Sequence, residues 1–336
     1  MDFRFSDDAL TLAQGAADFL QGECPPERLR STDRESLWPA LADMGLIGTL
    51  APESAGGLGL DATDFALIAE ECGRVALPEP LVMVAGVSVP CVAATCPDEL
   101  GPDIAGTHIP LPVHPLNPFT NLADQADGFV IATGESVYGV PASAATLRPQ
   151  TSIDPNRAPF KVEATLTDDL KVGDASLADD MAARGAVFTA AELLGLTRAM
   201  IDQATEYAKG REQFGKPIGS FQAVKHHLAT AFTKLEFARP VVYRAAASLG
   251  TPGARRDLAV SHAKLAANEA AWLAAETAIQ VHGGMGYTFE VDLHYFMKRA
   301  YALCAQWGDS TYHTNRLDDL VLGGAIALGP SQTFAA

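Results

Sequence analysis

Basic residues are scarce in this sequence. Its 336 residues include 24 Lys and Arg against 41 Asp and Glu, which gives a formal net charge of -17. Such an acidic chain repels phosphate backbones and anionic lipid headgroups, so neither a nucleic acid nor a membrane surface is an expected partner. Any anionic ligand must therefore be bound by local basic groups.

Cysteines with metal-binding or redox spacing are also missing. The five cysteines are an odd number, and they are scattered without a Cys-x-x-Cys or Cys/His pattern, at Cys24, Cys72, Cys91, Cys96 and Cys304. Free thiols in a reducing compartment explain this pattern better than disulfides do. His226, His227 and His313 have no third ligand at a suitable spacing, so we interpret them as surface or interface histidines and expect no metal.

Long apolar runs are absent as well. The most apolar stretch, residues 80–94, is interrupted by Gly86 and Pro90 and falls short of the ~20 apolar residues that a membrane-spanning helix needs. We interpret it as a core helix. The N-terminus is acidic and leads into no apolar run of the signal-peptide type, so the sequence predicts a cytoplasmic protein without a membrane segment.

Helical patterns dominate residues 1–100. Ser6 is a candidate N-cap for a first helix, and Asp61 is a candidate N-cap for a later one. In that later helix, the neighbouring side chains Glu70 and Glu71 are predicted to face solvent. These patterns predict an N-terminal helical domain.

Residues 101–176 have a different composition, rich in Pro, Thr, Val and Gly, with short alternating runs. The runs at 128–132 and 161–166 are typical of strands. Four prolines crowd residues 110–118, and proline removes the N–H that a central strand donates. We therefore predict a reduced, β-rich middle domain with a small sheet.

Residues 177–336 contain four long helical patterns rich in Ala and Leu, over residues 190–209, 222–249, 258–282 and 291–305. The connectors between them are short, which is typical of neighbouring helices that fold back on one another. The predicted fold is mainly α with a small β domain: an N-terminal helical domain, a reduced β middle domain and a C-terminal four-helix bundle.

The connector that runs from Arg211 to Gln222 carries groups suited to binding. These two residues place planar hydrogen-bonding groups at its ends, and a guanidinium can donate two N–H bonds to a phosphate. A second segment follows Gln280, where Gly283 and Gly284 allow the backbone to approach a large anionic ligand. On these residues alone, an arginine ion pair and a plain helix end stay open as alternatives. Both segments also suit a dinucleotide.

The chain resembles the acyl-CoA dehydrogenase family in both segments. It also resembles the family in the order of its regions, which is helical, then β-rich, then helical. The string RxxFGKPI, which starts at Arg211, is followed by FQ and is similar to the family segment whose arginine reaches the FAD pyrophosphate of a neighbouring subunit. The string QVHGGMGYT, which starts at Gln280, resembles the family loop that meets the adenosine part of FAD. The resemblance implies FAD as the cofactor and the following cofactor-binding residues: Arg211, Phe214, Gln222, Gln280, Gly283 and Gly284.

Two features of the family are missing from this sequence. Its flavin-ring contacts come from a Thr-Glu-Pro-Gly-like strand and a Trp-Ile-Thr-like strand; residues 101–176 contain neither, and the nearest segment is 127–134. Family dehydrogenases also remove the α-proton of an acyl-CoA thioester with a glutamate. The two family positions of that glutamate correspond to Trp307 and to about Gly185, and neither residue is a carboxylate.

Three acidic sites could replace the missing base. Asp309 lies two residues beyond Trp307, but its side chain is shorter and is better suited to cap a helix. Glu290 and Asp292 follow the glycine-rich segment and are predicted to cap the next helix, where an acidic residue suits the positive end of the helix dipole. Glu192 lies on an apolar helix and could bridge a subunit interface. Asp309 and Glu290 are therefore only weak candidates, and we predict that this chain supplies no catalytic residue.

The resemblance therefore implies an enzyme that is active only with a partner. Shortened subunits of heterotetrameric acyl-CoA dehydrogenases, including those acting on steroid side chains, complete a FAD site while a homologous subunit carries the base. The expected partners are that catalytic subunit, an acyl-CoA with a steroid or other bulky acyl group, and electron-transfer flavoprotein. One alternative is an autonomous FAD enzyme with a displaced carboxylate base. Another is a non-enzymatic scaffold of the same fold.

Overall fold

The computed structural model describes residues 5–31, 35–327 and 329. Its helices precede and follow a region of short strands, in the order predicted. The helices are α1 Asp7–Glu23, α2 Trp38–Asp43, α3 Ala62–Arg74, α4 Leu81–Met83, α5 Val89–Thr95, α6 Leu100–Ile104, α7 Ala175–Gly210, α8 Gln222–Ser248, α9 Ala254–His282, α10 Leu293–Ala305 and α11 Ser310–Leu322. The strands are β1 Pro110–Val113, β2 Phe119–Asn121, β3 Gly128–Ala132, β4 Ser136–Pro141, β5 Ala145–Pro149, β6 Pro159–Ala164, β7 Lys171–Asp174, β8 Glu212–Gln213 and β9 Lys216–Pro217.

The N-terminal helices begin where their capping residues predict. The Ser6 hydroxyl accepts a hydrogen bond from the backbone N–H of Ala9 at 3.1 Å, at the start of α1. Asp61 and Asp64 form a reciprocal capping box at the start of α3. Both predicted caps are confirmed.

The apolar stretch at residues 80–94 is a buried helical run. α4 continues through a π-helical turn, Val84–Ser88, into α5, and all five residues of that turn are buried. Pro90 follows the turn and has no N–H to donate to the preceding turn of helix, which is a physical reason for irregular backbone at this point. Within the described residues, none of the helices combines the length and apolar character that crossing a membrane requires.

The strands form two small sheets and one hairpin. A four-stranded sheet has the order β1-β3-β4-β7, in which β1 and β3 are parallel and the other pairs are antiparallel. A three-stranded antiparallel sheet has the order β2-β6-β5. The predicted strands at 128–132 and 161–166 correspond to β3 and β6. The division of the chain into domains at residues 100 and 176 stays a prediction.

The C-terminal bundle is built from α7, α8, α9 and α10, with α11 packed against α9. α7 is 36 residues long and begins at Ala175, fifteen residues before the predicted start. α11 was not predicted from the sequence. The mainly α fold with a small β region is otherwise as predicted.

Helices α3 and α7 pack with their backbones in contact. A Cβ added to Gly73 would lie 2.0 Å from the carbonyl oxygen of Glu192, and one added to Gly195 would lie 1.8 Å from the carbonyl oxygen of Glu70. No side chain larger than hydrogen fits at either crossing point. This contact fixes the position of Glu192 on α7 against the N-terminal helices.

Glu70 does not face solvent, so that prediction is wrong. Only 5% of the residue is exposed, and its carboxylate accepts hydrogen bonds from Arg239 at 2.7 Å and from the Tyr243 hydroxyl at 2.5 Å. A buried carboxylate needs such partners because it has lost its hydration. Glu70 thereby links α3 to α8.

Candidate functional site

The segment after Arg211 is a β-hairpin. β8 and β9 pair through Glu212 with Pro217 and Gln213 with Lys216. Between the strands, Phe214 and Gly215 have φ angles of 54° and 79°, the combination that a two-residue hairpin turn of type I′ requires. The Phe214 side chain is 93% exposed at the tip. Such an apolar side chain on a rigid turn is suited to contact with another molecule.

The glycine-rich segment lies at the same end of the bundle as this hairpin. Tyr207, one turn before Arg211, stacks on His282 with ring centroids 4.2 Å apart. α9 ends at His282, and Gly283 follows with a φ of 59°, a left-handed value that favours glycine. The stack brings together the two segments that the sequence analysis singled out.

All six predicted cofactor-binding residues are exposed on this surface. Gln222 is the first residue of α8, and Gln280 lies on the last turn of α9. A Cβ added to Gly283 or Gly284 would meet no atom within 4 Å in the described part of the chain. Tyr287 and Phe289 nearby in the chain are 78% and 79% exposed. The surface is therefore open, partly apolar and accessible to a ligand or a second chain.

Of the two weak candidates for a catalytic base, Asp309 caps a helix and Glu290 is exposed. The Asp309 carboxylate accepts a hydrogen bond from the backbone N–H of Tyr312 at 2.8 Å, so it caps α11. Glu290 is exposed, and its backbone N–H donates to the Thr288 hydroxyl at 3.3 Å. Asp292 stands at the start of α10.

The predicted capping role of Asp292 is wrong. Its side chain makes no capping hydrogen bond and instead binds the guanidinium of Arg30 with both oxygens, at 2.8 and 2.9 Å. A bidentate ion pair uses the lone pairs that a cap would have offered to backbone N–H groups.

Trp307 and Gly185 are in direct contact. A Cβ added to Gly185 would lie 2.1 Å from the indole ring of Trp307, so the ring fills the space beside α7. The indole is 3% exposed, its Nε1–H lies 3.1 Å from the Met83 sulfur, and it meets the His114 ring edge-to-face at 4.5 Å. A large aromatic group is packed where these two positions meet.

The turn that carries Trp307 is held by a buried lysine. Lys264 is fully buried, and its ammonium lies within 3.3 Å of the carbonyl oxygens of Leu303, Cys304 and Gly308 and 3.0 Å from Asn268 Oδ1. Burial lowers the pKa of Lys264 to about 8. The ammonium thereby ties the end of α10 to the turn that follows it, through carbonyls on both sides of Trp307.

His313 also holds this turn. It is 1% exposed, and its Nε2 lies 3.0 Å from the carbonyl oxygen of Trp307. Burial lowers its pKa to about 4, so the ring is neutral at pH 7. The interpretation of His313 as a surface or interface residue is therefore wrong, whereas His226 and His227 are exposed on α8. Across the described residues, no group of three or more His, Cys, Asp or Glu side chains is arranged to hold a metal ion.

A cavity of about 180 Å³ lies beside Trp307, between the N-terminal helices, β1, β2 and α10. Glu192 from α7 and Arg299 from α10 border it, with Glu192 Oε1 3.9 Å from the Arg299 guanidinium. Arg299 also forms an ion pair with Asp154, from the loop between β5 and β6, and donates to the Leu77 carbonyl at 2.7 Å. Burial raises the pKa of Glu192 to about 7.

Comparison with known proteins identifies the family. Residues 6–100 match the model of the acyl-CoA dehydrogenase N-terminal domain, and residues 176–319 match the model of the acyl-CoA dehydrogenase C-terminal domain. The chain is also 35% identical over 275 residues to acyl-CoA dehydrogenase IpdE2 of Mycobacterium tuberculosis, covering 80% of each protein. The chain belongs to the acyl-CoA dehydrogenase family.

Solved structures of lower identity share the fold of this acyl-CoA dehydrogenase family member. The ChsE4-ChsE5 complex from Mycobacterium tuberculosis superposes with a TM-score of 0.85 at 23% identity and covers 98% of this chain and 100% of the other. A structure described as the Tcur3481-Tcur3483 steroid ACAD G363A variant gives a TM-score of 0.86 at 22% identity and covers 95% of this chain and 99% of the other.

Sequence reasoning missed several residues that organise this acyl-CoA dehydrogenase fold. It named Glu192 only as an interface candidate, although one acid in the apolar run 186–196 is a pattern typical of a buried carboxylate. Lys264 is similarly isolated in the Ala-rich helix α9. Asp154 lies in a loop 145 residues from Arg299, and no local pattern predicts that contact.

Proposed function

We propose that this chain is the companion subunit of a heteromeric, FAD-dependent acyl-CoA dehydrogenase that desaturates an acyl-CoA thioester between Cα and Cβ. The observation that carries the proposal is the contact between Trp307 and Gly185. Both family positions for the catalytic glutamate are occupied, one by an indole and the other by the glycine against which it packs. A homologous partner subunit supplies the base.

The exposed hairpin and the glycine-rich segment complete the FAD site. The open space beside Gly283 and Gly284 and the exposed Arg211 fit a cofactor that lies on the surface of this chain. Arg211 would hold the pyrophosphate through its guanidinium, and Gln280 with the glycine backbone would hold the adenosine part. The chemistry that FAD would supply there is the acceptance of a hydride from the substrate. Phe214 and Gln222 complete the contact surface.

In the proposed complex, the partner subunit binds the flavin ring. The segment 127–134, nearest in sequence to the family's ring-binding strand, contains β3, and all five residues of β3 are buried in the four-stranded sheet. They therefore offer little exposed surface to a flavin ring. The exposed aromatic groups Phe214, Tyr287 and Phe289 supply apolar area for the subunit interface.

The substrate is an acyl-CoA, with a steroid or other bulky acyl group favoured by the likeness to a steroid enzyme. Electron-transfer flavoprotein accepts the electrons, as the family resemblance implies. We propose action in the cytoplasm, and the net charge of -17 disfavours an anionic partner such as a nucleic acid or an anionic membrane surface.

Co-expression with the homologous catalytic subunit tests this function. The purified complex should be yellow and should dehydrogenate acyl-CoA, whereas the chain alone, reconstituted with FAD, should hold little flavin and show no turnover. Arg211→Gln should lower the flavin content of the complex, and the control Lys209→Gln, an exposed residue paired with Glu206, should not. Robust turnover by this chain as a homo-oligomer would refute the proposal.

A further inference from the structure

Tyr207 and His282 stand at the bases of the hairpin and the glycine-rich segment. Tyr207 lies one helical turn before Arg211, and its backbone carbonyl accepts the Arg211 N–H at 2.9 Å. His282 is the last residue of α9 and directly precedes Gly283. Each segment is therefore anchored next to a residue whose side chain takes part in the ring stack.

The hairpin packs closely against the end of α7. The Ile218 N–H donates to the Arg211 carbonyl at 2.8 Å, which closes the hairpin on the residue that precedes it. A Cβ added to Gly219 would lie 3.0 Å from the Ala208 carbonyl oxygen, so the chain after the hairpin approaches α7 closely. The position of Arg211 therefore depends on the last turn of α7.

The glycine-rich segment folds over the last turn of α9. The Gly283 N–H donates to the carbonyls of Ile279 and Gln280. A Cβ added to Gly286 would lie 3.0 Å from the Ile279 carbonyl oxygen and 3.2 Å from the His282 Cβ. The position of Gly283 therefore depends on the last turn of α9, to which His282 belongs.

The ring stack joins these two helix ends in one orientation. The ring planes are 25° apart, with centroids 4.2 Å apart. His282 is 6% exposed, and its Nδ1–H donates to the Ala278 carbonyl at 2.8 Å, which fixes the plane of the imidazole. Burial lowers the pKa of His282, so the imidazole is neutral at pH 7. Two uncharged rings in this arrangement attract each other beyond the area that they bury.

We propose that Tyr207 and His282 are positioning residues, which set the distance between a pyrophosphate subsite at Arg211 and an adenosine subsite at Gly283. These roles rest on the proposed function of the chain. A ligand that reaches both subsites, such as FAD or ADP, gains from the fixed distance, because the two segments need not be ordered when it binds. Adenosine reaches only one subsite and does not depend on that distance.

Binding of FAD, ADP and adenosine to the complex with the homologous catalytic subunit tests these roles. Flavin fluorescence gives the affinity for FAD, and displacement of FAD gives the other two affinities. Tyr207→Leu should weaken FAD and ADP by about two- to tenfold, the range that loss of an aromatic pair gives, and should leave adenosine unchanged. Tyr207→Phe keeps the ring and should bind all three ligands as the wild type does.

A second ring stack in the chain supplies a matched control. Tyr301 on α10 stacks on Trp272 of α9, with centroids 4.0 Å apart and planes at the same angle of 25°. Trp272 lies eight residues before Gln280, so this stack is two turns of helix away from the glycine-rich segment. Tyr301→Leu should therefore leave the affinities for all three ligands unchanged.

Hydrogen exchange on the chain alone measures the coupling without FAD or a partner. Tyr207→Leu should speed the exchange of backbone amides in residues 279–287, whereas Tyr207→Phe should exchange there as the wild type does. Circular dichroism should show native helix content for every variant, which separates loss of the stack from loss of the fold.

The positioning roles are overturned if Tyr207→Leu binds FAD as tightly as the wild type, or if Tyr207→Phe binds it as weakly as Tyr207→Leu. They are also overturned if adenosine loses as much affinity as ADP, or if exchange in residues 279–287 is the same in Tyr207→Leu and the wild type. In all these cases the wild-type complex still binds FAD and the proposed function stands. A wild-type complex that binds no FAD would refute the proposed function and the positioning roles together.

Discussion

Replacing Glu192 with glutamine should change how the stability of the chain depends on pH. Burial raises the pKa of Glu192 from its ordinary value of 4.5 to about 7. The folded protein therefore binds a proton more tightly than the unfolded chain does. This contribution to stability is fully present below pH 4.5 and is lost as the pH rises to about 7.

The size of this effect follows from the pKa difference. About 2.5 pKa units at 1.36 kcal/mol each correspond to about 3 kcal/mol of unfolding free energy. His114 and His313 act in the opposite direction, because burial lowers each pKa to about 4 and their contribution grows as the pH rises toward 6.5. The wild-type curve is therefore composite, and the difference between Glu192→Gln and wild type isolates Glu192.

Urea unfolding followed by circular dichroism at pH 5, 6, 7 and 8 measures that difference. At pH 5 the variant and the wild type should differ by only about 1 kcal/mol, since both side chains are neutral in the folded state and the unfolded glutamate is close to its ordinary pKa. At pH 8 the variant should gain about 3 kcal/mol relative to the wild type. The control Glu206→Gln changes a side chain that is 71% exposed, so its plot of unfolding free energy against pH should run parallel to that of the wild type. A difference for Glu192→Gln that stays constant from pH 5 to pH 8 would show that the carboxylate is not desolvated.

Two further substitutions test the packing around the site. Lys264→Met should lower the unfolding free energy in urea by about 3–5 kcal/mol, because it removes the buried ammonium that donates to the Leu303, Cys304 and Gly308 carbonyls. A loss below about 1 kcal/mol would contradict this role. Gly195→Ala should cost about 3 kcal/mol or more, because its Cβ would lie 1.8 Å from the Glu70 carbonyl oxygen. The control Gly22→Ala, in α1 with no described atom within 4 Å of the new Cβ, should be neutral or stabilising by about 1 kcal/mol in the same assay.

The sequence predicted those parts of the fold that depend on local signals. Ser6 and Asp61 marked helix starts because capping is a short-range hydrogen bond. The start of α7 was placed too late, since Asp179, Asp180 and Gly185 weaken the helical pattern there. α11 was missed because its residues are mostly polar, and only His313 among its described side chains is buried.

In the candidate site too, local sequence signals predict some features, whereas long-range contacts determine others. The two segments that we propose bind FAD were recognised from short strings that start at Arg211 and Gln280. Tyr207 and His282, whose rings stack, bring these segments together, and no local string predicts that contact. The burial of Glu70 could not be predicted, because its partners lie 169 and 173 residues away on α8. Long-range charge pairing leaves no periodic pattern in a sequence.

The contact between Trp307 and Gly185 couples the side-chain sizes that these two positions can hold. Any side chain at position 185 would collide with the indole, so such a change alone would be harmful. A smaller residue at position 307 would leave a hole beside α7, which a larger side chain at position 185 could fill. A double substitution that exchanges the two sizes can therefore be tolerated where the single change at position 185 is not.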